Sequence, residues 1–163
     1  MTVSAAAGDT IVVCMVARNG ATHTGITDDR SETYNPVTTP VADGASRTCI
    51  YYAENVASGT HVITGTVGAA DTVILWAGVA NGMATSSVLV NFDTQINSAV
   101  TTHPHGDTGI SVAAGDLIIT AAGQASTITD EVVAGSYTAA QNSGGGNNRQ
   151  WFQYRVAVGA LSN

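Results

Sequence analysis

Short runs rich in valine, isoleucine and threonine recur along this chain, and each is closed by a turn former. The runs are Thr10 to Ala17, Arg47 to Val56, His61 to Val67, Thr72 to Val79, Ser87 to Phe92, Leu117 to Ala122 and Gln150 to Val158. Between them stand Asn19-Gly20, Asp43-Gly44, Ser58-Gly59 and Asn81-Gly82, pairs that adopt tight-turn geometry. Branching at Cβ stiffens χ1 and suits an extended backbone, so the pattern predicts strands and almost no helix. Ala84 to Val90 is the one segment with a helical option, and its valines and serines favour a strand there too. Many short strands with frequent turns predict an all-β, antiparallel sandwich of jelly-roll or Greek-key type. A chain of 163 residues suits one such domain over 1–163, burying roughly two-thirds of its unfolded surface without a metal or disulfide.

The chain also echoes itself. Ser4-Ala5-Ala6-Ala7-Gly8-Asp9-Thr10-Ile11-Val12 returns as Ser111-Val112-Ala113-Ala114-Gly115-Asp116-Leu117-Ile118-Ile119. Ile26-Thr27-Asp28-Asp29 returns as Ile128-Thr129-Asp130-Glu131, and Arg47 to Tyr52 returns as Arg149 to Tyr154. Echoes in one order at nearly constant offset predict a two-fold internal repeat, with halves of about 3–100 and 109–163. In each half Gly8 or Gly115 can take the positive φ of a tight turn. Asp9 or Asp116 can then fold its carboxylate onto nearby backbone amides and set the start of the next strand. The second copy stops early, so at least one strand of the first half has no counterpart. An open sheet edge is the expected result, to be covered by a partner.

Taken in order, these motifs carry a resemblance. A Gly-Asp turn precedes an apolar strand; Ile26-Thr27-Asp28 is followed by Tyr34; then come Tyr51-Tyr52-Ala53-Glu54-Asn55-Val56-Ala57-Ser58-Gly59-Thr60-His61 and Trp76-Ala77-Gly78-Val79-Ala80. Over about residues 5 to 158 the chain resembles a β-sandwich module common in phage structural proteins and in large bacterial surface proteins. The resemblance implies an adhesive, decorative or spacer role. It brings no catalytic residues, and the module's usual final strands are missing here.

Charge excludes several functions. There is no lysine, and five arginines against twelve acidic residues leave a net charge of −7. Nucleic-acid binding needs a basic stripe that displaces counterions, and an anionic membrane surface needs the same, so neither partner is expected. No apolar run is long enough to span a bilayer, and no signal peptide is visible at Met1-Thr2-Val3-Ser4. Only 10% of residues are charged while 44% are apolar, so threonine, serine and amide side chains must supply most of the polar surface.

No constellation of residues gathers into an enzyme site. His103-Pro104-His105, with His23 and His61, could hold a transition metal, but the proline turns the two rings apart and an exposed loop is the simpler reading. Asp28, Asp29 and Glu32 could offer oxygens to a hard cation, against an Asx turn beside a solvated ion pair with Arg30. Ser143-Gly144-Gly145-Gly146-Asn147-Asn148 lacks the Lys-Ser or Lys-Thr of a phosphate loop and reads as a hairpin tip. Cys14 and Cys49 are either a disulfide between neighbouring strands or two small buried hydrophobes. Trp76, Tyr51, Tyr52, Trp151, Phe152 and Tyr154 are either a sugar-stacking platform or core. No cofactor is expected.

The expectation is a non-enzymatic virion structural protein on the virion surface, a phage capsid-decorating or fibre-associated module. Its partners would be copies of itself, by analogy a trimer, and a capsid or fibre protein, with Trp151, Phe152, Tyr154 and Leu161 as candidate contacts. The alternative is a carbohydrate-binding or adhesion module of a bacterial surface protein, extracellular or on the cell surface.

Overall fold

Thr10 to Ala17 are buried without exception, although an extended strand points alternate side chains to opposite faces. Such a strand must lie between two covered faces. His61 to Thr64 alternate instead between buried and exposed, as an outer strand does. These two signatures define the layers of the molecule.

The computed structural model of the chain describes residues 1–18, 21–42, 46–89, 91–92, 94, 112–124, 138–143 and 149–157. Among these residues there is no helix, and every strand pairing is antiparallel. The middle layer is a sheet of β6 (Ser46–Ala53), β2 (Thr10–Arg18) and β8 (Val73–Ala80), extended along β6 by the two-residue strands β4 (Asn35–Pro36) and β5 (Val41–Ala42). One outer layer is β1 (Thr2–Ala5), β7 (Gly59–Val67) and β3 (His23–Asp28), in the order β1-β7-β3. The other outer sheet has the order β10-β11-β9, from β9 (Leu117–Gln124), β10 (Thr138–Ser143) and β11 (Arg149–Val156).

Alternation along β2 decides which side chain meets which layer. Ile11, Val13 and Met15 join Cys49, Tyr51 and Ala53 of β6 beneath Ile26 of β3 and Ile63 of β7. This is the core of the β-sandwich, and each fully buried aliphatic in it contributes about 1.5–3 kcal/mol. Val12 and Cys14 look the other way, where Ile50, Trp76, Ile119, Ala121 and Phe152 close a second cluster. A side chain at Gly123 would collide with Thr48 and Val16, so β9 passes close over the middle sheet only because that position has none.

The two Ala-Gly-Asp turns make the same hydrogen bonds. Gly8 and Gly115 stand at φ 89° and 93°. The Ala6 amide donates to Asp9 Oδ2 at 2.8 Å, and the Ala113 amide to Asp116 Oδ2 at 2.7 Å. Gly8 N–H donates to the Val56 carbonyl while Val56 N–H donates to that of Asp9, and Gly115 and Asp116 exchange the same pair with Ala157. Strand registers also correspond. Arg47 faces Ala17 and Tyr52 faces Val12, while Arg149 faces Gln124 and Tyr154 faces Ile119; each facing residue lies equally far beyond its own turn aspartate.

Two expectations are corrected, and one choice between readings is settled. No strand forms at Ser87–Leu89, Asn91 and Phe92, where side chains take the backbone amides instead: Glu54 Oε2 accepts from Val88, and Asn91 Oδ1 from Phe92. The open edge is not at the C-terminal run, because β11 is the central strand of its sheet, held by β9 on one side and β10 on the other. Of the two readings of the cysteines, the buried hydrophobes hold: Cys14 and Cys49 are free and buried. Cys49 faces Met15, one residue along from Cys14, so the thiols point to opposite faces of the sheet and cannot bridge.

Candidate functional site

The densest polar cluster forms where β3 ends. Asp28 Oδ1 accepts from the Arg30 amide at 3.1 Å and the Glu32 amide at 3.0 Å, an Asx turn that reverses the chain. Ser31 sits at φ 62° within it. The reversal brings Tyr34 back, and its hydroxyl donates to Asp28 Oδ2 at 3.2 Å. From β7, His61 Nδ1 lies 2.8 Å from the same oxygen, both side chains being shielded from solvent. The other ring nitrogen, Nε2, lies 3.0 Å from the Ala57 carbonyl.

Neighbouring side chains fasten the same corner. Glu32 Oε1 accepts from the Ala57 amide at 2.8 Å and Asp29 Oδ1 from the Val62 amide at 2.8 Å, while Arg30 Nε donates to the Thr60 carbonyl at 2.7 Å. Burial by itself raises the Asp28 carboxyl; the hydrogen bonds from His61, the Glu32 and Arg30 amides and Tyr34 outweigh it and hold the group below its ordinary value. Burial, and next the adjacent Asp28 carboxylate, push the Tyr34 hydroxyl well above its usual range.

Chemically, the cluster fixes backbone. Both His61 nitrogens face acceptors within the protein. The carboxylates of Asp28, Asp29 and Glu32 accept backbone amides, and among the described residues no three His, Cys, Asp or Glu side chains come together as metal ligands. The side chain that Asp28 meets is His61 rather than Arg30, whose Nε is on a carbonyl. His23 lies apart, between the Tyr51 hydroxyl and the Arg47 carbonyl. His103 and His105, and residues 144–148 of the glycine-rich segment, lie outside the described residues.

The aromatics divide between core and surface. Tyr51 is buried in the sandwich core, and Trp76 stacks on Phe152 with ring centroids 5.5 Å apart. Phe152 is therefore core and presents no surface to a partner, a correction to its expected role. Tyr154 on the same strand is 39% exposed and Val156 is 57% exposed, so these two are free to make contact. Trp151 has its backbone in β11 and its side chain outside the described part, and Leu161 lies outside the described residues altogether.

Sequence reasoning missed the Asp28–His61–Tyr34 link, which joins segments 33 residues apart through the β3–β7 pairing. The one local signal was parity: His61 and Ile63 share a face of an alternating strand, which places the histidine inward. No protein-family model, no curated protein and no solved structure matches the chain.

Proposed function

We propose that this chain is a non-enzymatic structural protein of a virion, a phage capsid-decorating or fibre-associated module displayed on the particle surface. The observation that supports it is the use made of polar side chains. Asp9, Asp28, Asp29, Arg30, Glu32 and Asp116, the groups most suited to chemistry, are each bonded to backbone and stiffen turns and corners. Stacked sheets with reinforced corners suit a domain that bears load and presents surface. Assembly on copies of itself or on a capsid or fibre protein belongs to the same proposal, with Tyr154 and Val156 as the contact side chains.

Carbohydrate binding draws less support, since Tyr51 is core and Trp76 packs on Phe152 instead of facing outward. The test is fractionation of particles from cells that make the protein, by density gradient and mass spectrometry. Recovery in the particle band at a fixed ratio to the capsid protein supports the proposal. Recovery with cell envelopes and none in particles overturns it in favour of an adhesion module.

A further inference from the structure

Sheet edges in this molecule fall into two kinds. Most are blunted against further pairing. β1 has four residues, β4 and β5 have two each, Pro36 sits in β4, and β3 and β10 shift register against their neighbours. β8 and β9 carry none of these devices. Each runs eight residues in unbroken register with its partner, and neither Val73–Ala80 nor Leu117–Gln124 holds a proline or a charged side chain. Among the described residues no strand pairs with the other side of either one.

The ladders show which groups those open sides present. Arg18 N–H donates to the Thr72 carbonyl at the end of the β2–β8 pair. Antiparallel neighbours bond at alternate residues, so Val73, Leu75, Ala77 and Val79 turn their amides and carbonyls away from β2. On β9, Ala157 N–H donates to the Asp116 carbonyl, so Leu117, Ile119, Ala121 and Gly123 turn theirs away from β11. The first Gly-Asp turn supplies a template for what belongs there. Thr10, Val12, Cys14 and Val16 stand as far beyond Asp9 as these β9 residues stand beyond Asp116, and they bond to β8.

We infer that β9 of one copy pairs with β8 of a second copy, giving a shared sheet in the order β10-β11-β9-β8-β2-β6 across the two molecules. The outward groups set an antiparallel register, with Leu117, Ile119, Ala121 and Gly123 opposite Val79, Ala77, Leu75 and Val73 of the second copy. One copy cannot join its own two edges. Phe152 of β11 rests on Trp76 of β8, and Gly123 of β9 rests on Thr48 of β6, so β9 opens on the β6 flank and β8 on the opposite flank. The contact is therefore head-to-tail and leaves an edge of each kind open for a further copy. This pairing rests on the self-association within the proposed function and names the strands that meet.

The test is hydrogen exchange of the full chain, read amide by amide from dilute to concentrated solution, beside sedimentation velocity. Concentrated protein should assemble beyond the dimer. The outward amides of both β8 and β9 should then exchange at least about tenfold more slowly, in step with assembly. Ala121→Pro removes an outward N–H and takes no bond from β11, and it should raise the concentration needed for assembly about tenfold. Should this variant not fold, exchange in the wild-type chain decides alone. A monomer at every concentration overturns the inference, as does a dimer that grows no further or an oligomer that protects only one of the two edges. Recovery in particles is measured separately, so a chain that bands with particles yet stays monomeric in this test sinks the strand pairing alone.

Discussion

Trp76 of β8 and Phe152 of β11 lie stacked, with ring centroids 5.5 Å apart and ring planes at 27°. Each comes from a different sheet, and their contact sits in the cluster that Val12 and Cys14 present from the outer face of β2. The ring of Phe152 is 1% exposed, so the third sheet rests on a buried anchor.

Replacing that anchor should be costly. Phe152→Ala removes a fully buried aromatic side chain and leaves a cavity beside Trp76, which is expected to lower stability by about 3–5 kcal/mol. Urea unfolding with circular dichroism measures the loss, and the Trp76 emission should move to the red as water reaches it. A loss below about 1 kcal/mol would mean that the third sheet is not seated on this ring.

Acid should weaken the fold in two separate stages. His23 is held below its ordinary value of 6.5 mainly by burial, with the Arg47 guanidinium adding to the effect and the Arg47 carbonyl opposing it. The unfolded chain then takes a proton that the folded chain refuses, so stability falls as pH drops below 6.5. Asp28 behaves differently: its lowered carboxyl contributes stability above the ordinary value of 3.8, lost as pH falls through the lower folded value. Melting temperatures across this range should show both stages. His23→Gln should abolish the first and leave the second; a profile unchanged by that substitution would contradict the buried neutral ring.

Whether a strand could be read from the sequence depended on the number of faces it buries. β2 declares itself because both faces need apolar side chains, so Ile11, Val12, Val13, Cys14, Met15 and Val16 run without a break. The same run carried the news of a third layer, since Val12 and Cys14 would be superfluous in a sandwich open to water on that side. β1, β3 and β10 escaped notice for the opposite reason. Thr2–Ala5 has one exposed face, and His23–Asp28 is short, interrupted by Gly25 and shifted in register between His23 and Gly25. Thr138–Ser143 offers alanine, glutamine and asparagine, which favour no particular backbone state strongly enough to stand out. The Asp28–His61 pair could not be read, because it depends on which distant strand β3 joins.

The cysteines should stay reduced and unreactive in the folded protein. Burial, and secondarily the Cys49 thiol, push Cys14 well above the ordinary thiol value; burial also raises Cys49, although hydrogen bonding to the Thr38 backbone, the Tyr51 side chain and the Val37 backbone acts against it. Thiolate is the reactive form, so an aromatic disulfide reagent at neutral pH should label neither residue until denaturant is added. Mass spectrometry after air oxidation should find no intrachain bridge. A bridge formed without denaturant would require Cys14 and Cys49 to share a face, contrary to the β2–β6 register.

The twin turns provide the sharpest comparison. A Cβ at Gly115 would meet no atom within 4 Å, and at Gly8 it would reach only Thr85 at 3.7 Å and Asn55 at 4.0 Å. Crowding is therefore absent at both, and any cost of a side chain must come from the backbone angles of 89° and 93°. An L-residue in the left-handed region is destabilised by about 1–2 kcal/mol, and asparagine tolerates it better than alanine. Gly8→Ala and Gly115→Ala should each lower stability by about that amount, with Gly→Asn costing less at both sites. Asp9→Ala and Asp116→Ala remove a charged acceptor from the Ala6 and Ala113 amides, expected to cost about 1.5–3 kcal/mol each. Urea unfolding of the six variants checks the set. Equal penalties at the two turns would show that both hold their strands by the same bonds with comparable force. A penalty at Gly8 and Asp9 with none at Gly115 and Asp116 would show that β9 is positioned by its packing on Thr48 and Val16 instead, with its turn following passively.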